Sequence, residues 1–170
     1  MPVDDFETWK SELMFTGRIV QDDDETVDCD EAHRRFLRYI ELLEQIDGTE
    51  GPEAVAALIQ SVQMEHDYGA YQTTYRMFAR FPDRDFFTTL VQELPALIAR
   101  QPDLAGDFLV GIANGQGGKW DYQIALFNNA VAIAPAAVRQ PIVDYVRSQE
   151  PKGWFSNRVG VLCPGMNEPS

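Results

Sequence analysis

Asp22, Asp23, Asp24 and Glu25 form an unbroken run of carboxylates, and Asp28, Asp30 and Glu31 extend it. Such a run could hold a divalent cation, and a calcium loop is the first chemistry to test. An EF-hand loop opening at Asp22 needs glycine at its sixth position and glutamate at its twelfth. Val27 and His33 stand there instead, so the pattern fails. Three readings stay open: weak cation binding, a solvated acidic loop, and an electrostatic docking surface for a basic protein. The acidity of the flanking segments favours the last.

The other chemistry-bearing residues are few. His33 and His66 are the only histidines. Glu65-His66-Asp67 carries ligand and base types, but no second His or Cys stands at metal-ligand spacing. Asp67 reads better as a helix cap. The glycine-rich stretch at 111–119 resembles a phosphate loop only superficially. Ala113 takes the first glycine position of that motif and Trp120 follows Lys119 where Ser or Thr is required. No Cys-His-Asn arrangement, CxxC pair or GxSxG elbow occurs. Acids are plentiful, yet no spacing selects one pair for acid–base work. The residues therefore point away from catalysis, and neither a metal nor a cofactor is expected.

Charge supplies the strongest sequence signal. The chain of 170 residues carries a net charge of −13. Residues 1–67 hold 18 of the 27 acids and 5 of the 14 basic residues, whereas residues 68–170 hold nine of each. The whole imbalance thus belongs to the first part of the chain. A field of that sign repels nucleic-acid phosphates and anionic lipid and attracts basic proteins. The expected partner is a basic protein, with no nucleic acid and no membrane. No apolar run approaches the ~20 residues that span a bilayer, and the acidic opening residues lack the order of a signal peptide. Two cysteines need no disulfide framework. These features make a cytoplasmic location the expectation.

Helical periodicity recurs along the chain, and the expected class is all-α. A first helix is predicted over residues 4–15, with Phe6, Trp9 and Leu13 in register. Asp28 can cap a second, with Glu31 as its capping-box partner and Phe36, Leu37, Ile40 and Leu43 as the inner face. Gly51-Pro52 opens a third, lined by Val55, Leu58, Ile59 and Val62. A fourth follows Asp67 with Tyr71, Tyr75 and Phe78 inward, and a fifth follows Asp83, with a kink or break expected at Pro95. The sixth opens at Gln101-Pro102, the seventh covers 119–134 and the eighth 135–149. Starts spaced by roughly 16–18 residues suggest stacked antiparallel helix pairs, either a HEAT-like α-solenoid or an irregular helical bundle of about eight helices. Residues 1–150 read as one helical domain and 151–170 as a Pro/Gly-rich tail. Within that tail Trp154, Phe155, Val161 and Leu162 can pack, residues 159–162 hold a faint strand signal, and residues 167–170 read as mobile.

The segment His66-Asp67-Tyr68-Gly69-Ala70-Tyr71, running on through Phe81-Pro82 to the Leu94-Pro95 helix, resembles the helical immunity proteins of bacterial polymorphic toxin and contact-dependent inhibition systems. The resemblance spans residues 60–135, under half of the chain. It implies an antidote that binds a cognate toxin domain, for example a nuclease, and covers its active or target-binding surface. A carboxylate-rich face would then stand in for phosphates, speed the encounter and let a few aromatic anchors set the lifetime. On that reading the contact residues are Asp22, Asp23, Asp24, Glu25, Asp28 and Asp30. Asp67, Tyr68 and Tyr71 follow as second choices, Tyr71 competing with a place in the core. Two other functions stay open: a helical-repeat adaptor for a non-toxin protein, and a small enzyme with a carboxylate site.

Overall fold

The computed structural model describes residues 5–21, 23–64, 66–155 and 158–165. Among them the chain is all-α, with eight helices and no strand. They are α1 (Phe6–Thr16), α2 (Cys29–Glu44), α3 (Pro52–Ser61), α4 (Ala70–Phe78), α5 (Asp83–Arg100), α6 (Pro102–Ala113), α7 (Asp121–Ile133) and α8 (Ala136–Gln149). A 3-10 turn, Glu150–Lys152, follows. The chain divides into two compact units, Met1–Phe86 and Phe87–Ser170. No helix is long and apolar enough to cross a membrane among the described residues.

In the first unit, α1 packs against α2 and α3, and α2 against α4. Asp5 caps α1 by accepting from the Thr8 N–H at 3.1 Å. The helix buries Trp9 and Leu13, and the Trp9 indole N–H donates to the Leu42 carbonyl at 3.0 Å, tying α1 to α2. The inner face of α2 differs from the predicted one. Tyr39, Leu42 and Leu43 are fully buried, whereas Leu37 is exposed and Phe36 and Ile40 are half-buried. Tyr39 can lie inward because its hydroxyl is satisfied there, 2.8 Å from Ser61 Oγ and 2.6 Å from Thr74 Oγ1. Ser61 Oγ itself donates to the Leu58 carbonyl. It must therefore accept from Tyr39, and Thr74 must donate to Tyr39, because a hydroxyl has one proton. Burial holds the Tyr39 phenol well above its ordinary pKa. This chain of three hydroxyls links α2, α3 and α4.

A surface pair crosses the same α1–α2 contact. The Arg38 guanidinium grips Glu12 at 2.7 and 2.9 Å and reaches Glu41 at 3.1 Å. The hydrogen bond from Arg38 holds the Glu12 carboxyl below its ordinary value of 4.5. A carboxylate with a depressed folded-state pKa contributes its stability above the unfolded value and loses it as pH falls through the folded one. Both side chains are more than a third exposed, so solvent limits the gain. Glu12→Gln is expected to cost up to about 1 kcal/mol at neutral pH. The gap to the parent should narrow as pH falls below 4.5 toward the depressed folded-state value. Denaturation midpoints measured at neutral and acidic pH check this, and a gap that survived acidification would contradict it.

In the second unit, α6 packs on α7 and α7 on α8. α5 runs without interruption through Pro95 to Arg100, so the expected break does not occur. Proline removes one N–H donor from the helix, but Leu97 beyond it is fully buried and continues the stripe of Leu90, Val91 and Leu94. Burial on both sides of Pro95 holds the helix together. Pro141 sits inside α8 in the same way, between its start and the buried Ile142 and Val146. Residues 159–162 form turns rather than a strand. They are pinned to α7 by the Asn128 amide, which donates to the Val161 carbonyl at 3.0 Å and accepts from the Cys163 N–H at 2.8 Å. Phe155 and Leu162 are buried, whereas residues 167–170 lie outside the described residues.

Candidate partner-binding surface

The acidic stretch becomes a short turn-rich loop between α1 and α2. Asp22 lies outside the described residues, and Asp23, Asp24, Glu25, Asp28 and Asp30 are all exposed. Asp24 shapes the loop by accepting from both the N–H and the hydroxyl of Thr26. The Thr26 hydroxyl, then its N–H, and beyond them the charges of Arg18 and Arg35, hold Asp24 below the usual carboxylate range. Asp28 is spent on structure: it caps α2 by accepting from the Glu31 N–H at 2.8 Å. Only half of the expected capping box forms, since the Glu31 carboxylate turns to Arg35 at 2.7 Å and Arg34 at 3.0 Å. None of the five exposed acids makes an ion pair with a described residue.

The second-choice residues separate. Asp67 stands two residues before Gly69, the N-cap of α4, and its carboxylate reaches the first turn, accepting from the Tyr71 N–H at 2.8 Å and the Gly69 N–H at 3.2 Å. Tyr71 is fully buried and bonded to three backbone groups, so it belongs to the core and cannot touch a partner. Its hydroxyl explains the burial, because the surrounding backbone satisfies it completely. Tyr68 is half-exposed, with its backbone in the left-handed region at φ +48°. Glycine would adopt that conformation at lower cost, and strain of this kind clusters at functional sites.

Beside the acidic loop lies a cleft of about 680 Å³ whose lining includes Met14, Phe15, Val20, Asp24 and Met64. A smaller hollow of about 200 Å³, lined in part by His33, Phe36 and Tyr68, shares Ile19, Val20 and Arg35 with it. Asp24 thus lines the cleft, and Tyr68, 44 positions on in sequence, lines the hollow that shares residues with it. Phe15 is 56% exposed there, and the Arg35 guanidinium lies over its ring, 4.7 Å from the centroid. Phe15, Arg35 and Met64 were not singled out from sequence. For Phe15 a signal existed, because it falls off the helical register of Trp9 and Leu13 and so had to point away from the core.

No group of three or more His, Cys, Asp or Glu able to hold a metal occurs among the described residues. In the 114–120 turn the Gly117 N–H is committed to the Asp121 carboxylate, to which it donates at 2.9 Å. A prediction separates capping acids from surface acids. Asp28→Ala and Asp67→Ala should each cost about 1 kcal/mol through loss of a helix cap. Asp23→Asn with Glu25→Gln should change stability by no more than about 0.5 kcal/mol. Chemical denaturation of the three proteins tests this, and equal losses in all would refute it.

Among the described residues the chain is all-α, and its first unit carries exposed acids at 23–30 beside a cleft lined by Asp24, Arg18 and Arg35. No protein-family model, curated protein or solved structure matches the chain.

Proposed function

We propose that the chain is an immunity-type inhibitor that binds a basic toxin domain through the acidic segment at 23–30 and the adjoining cleft. One observation carries this reading: Asp24, an exposed carboxylate without an ion-pair partner among the described residues, lines a cleft that also presents the exposed Phe15, and the exposed Tyr68 lines the smaller hollow that shares residues with it. Free negative charge accelerates capture of a cationic surface, and desolvated aromatic anchors slow its release. The strained backbone at Tyr68 fits the same role, since a left-handed non-glycine residue is kept at a cost to the fold.

The test is co-expression with basic toxin domains encoded beside this chain. The parent should restore growth against one of them. Association of the purified pair should slow steeply as salt rises. Tyr68→Gly should keep or raise stability while weakening the complex, because it relieves the backbone and removes the anchor. If no neighbouring toxin is neutralised, the inhibitor reading fails. A partner held as tightly after neutralising residues 23–30 would favour a helical adaptor instead.

A further inference from the structure

The outer face of α7 carries a second apolar stripe. Its inner face, Ile124, Phe127 and Val131, is buried within the second unit. On the opposite side stand Tyr122, Leu126, Asn129 and Ile133, at successive spacings of four, three and four residues. That spacing is the seam of a helix-to-helix contact, here with one polar position among apolar ones. The seam faces solvent: Ile133 is 85% exposed, Tyr122 and Asn129 are exposed, and Leu126 is half-buried. The half-exposed Trp120 prolongs it, its ring centre 6.2 Å from that of Tyr122. No charge interrupts it, since residues 122–138 contain no Asp, Glu, Lys or Arg. A helix that is apolar on both sides is ordinarily covered on both.

Chemistry narrows what can cover this face. A charged surface would be desolvated against a stretch that offers no counter-charge. A wholly apolar surface would bury the Asn129 amide without a partner. A second copy of the same helix, laid parallel, meets neither penalty. The two Asn129 amides then face and hydrogen-bond each other, and Tyr122, Leu126 and Ile133 each meet their counterparts. Ala125 and Ala132, small and exposed beside the seam, let the helices approach closely. Charge agrees: the chain carries −13, but residues 68–170 hold nine acids and nine bases, so the surplus does not belong to the stretch in contact. We propose that the chain pairs with a second copy of itself through α7, a contact separate from the first-unit surface assigned to the toxin. A helix of 13 residues is about 20 Å long and covers less area than a stable dimer needs. The pair is therefore reversible, with a dissociation constant on the order of 100 µM.

Sedimentation equilibrium of the full chain, from about 10 µM to about 1 mM, tests this without any toxin. The mean mass should climb from 19.2 kDa toward twice that value and no further. Added salt should tighten the pair, because it screens the repulsion between two chains of charge −13. The toxin encounter proposed above should respond in the opposite sense, so the two contacts are told apart. Ile133→Glu should weaken the pair about tenfold or more, since it buries a charge in the seam. Gln92→Glu, at an exposed position of α5, adds the same charge and should change it by less than about twofold. Thermal melts establish that both variants fold, and Leu126→Ala serves in place of Ile133→Glu if that variant does not. A single-chain mass up to the highest concentration would overturn the proposal. So would assemblies larger than two, a pair that salt weakens, or a seam variant that associates as the parent does.

Discussion

Tyr71→Phe is expected to destabilise the first unit by about 3 kcal/mol, an unusually large effect for the loss of one oxygen atom. The Tyr71 hydroxyl donates to the Gly17 carbonyl at 2.8 Å and accepts from the N–H groups of Gln63 and Met64 at 2.9 and 2.8 Å. A hydroxyl has one proton and two lone pairs, so this one is saturated by backbone alone. Phenylalanine keeps the ring packing and strands three main-chain groups at once. Each buried orphan costs about 1–3 kcal/mol, and partial wetting of the half-buried 63–64 segment keeps the total below the sum. The same bonds hold the end of α1 against the segment that carries Met64, one wall of the cleft. The variant should therefore lose affinity for the partner proposed above as well as stability. Urea denaturation checks the first point: a fall in midpoint at unchanged slope is expected, and a loss below about 1 kcal/mol would mean that water replaces the phenol at little cost.

Gly48→Ala should cost about 3 kcal/mol or more, for two separable reasons. Gly48 sits at φ +97°, where a side chain is strained. A Cβ there would also lie 2.1 Å from the Arg80 carbonyl oxygen and 2.6 Å from its carbon. Backbone meets backbone, so no rotamer change relieves the overlap. The turn cannot easily retreat, because the Glu50 carboxylate accepts from the Asp47 and Gly48 N–H groups and Arg80 donates to the Ile46 carbonyl. Gly69→Ala isolates the strain component. Gly69 is also left-handed, at φ +88°, but an added Cβ meets nothing within 4 Å. That substitution should cost about 1 kcal/mol. Equal losses at the two sites would show that the close approach to Arg80 contributes nothing.

Helices were legible where a capping residue met a strong stripe. Asp28, Gly51-Pro52 and Gln101-Pro102 mark the starts of α2, α3 and α6 because each acts on the backbone within one turn. The buried face of α3 followed from unambiguous apolar spacing. The face of α2 did not, because Tyr39 scores as amphipathic until Ser61 and Thr74 are known to meet its hydroxyl. A break at Pro95 failed to appear for a related reason: proline's local cost is visible in sequence, whereas the packing of Leu94 and Leu97 that offsets it is not.

The candidate surface divides along the same line. The surplus of carboxylates at 23–30 is a property of composition, and any fold that keeps those residues in water displays it. The sequence alone therefore determined the sign of the charge, the helical class and most helix starts, all of which depend on neighbours a few positions away. The tertiary structure alone decided that Tyr71 faces inward while Tyr68 faces out. It also decided that Phe15, Val20 and Met64 wall a cleft beside Asp24. Those outcomes depend on which distant backbone groups can satisfy a hydroxyl and which side chains are left over once the core is full, and neither is set by local spacing.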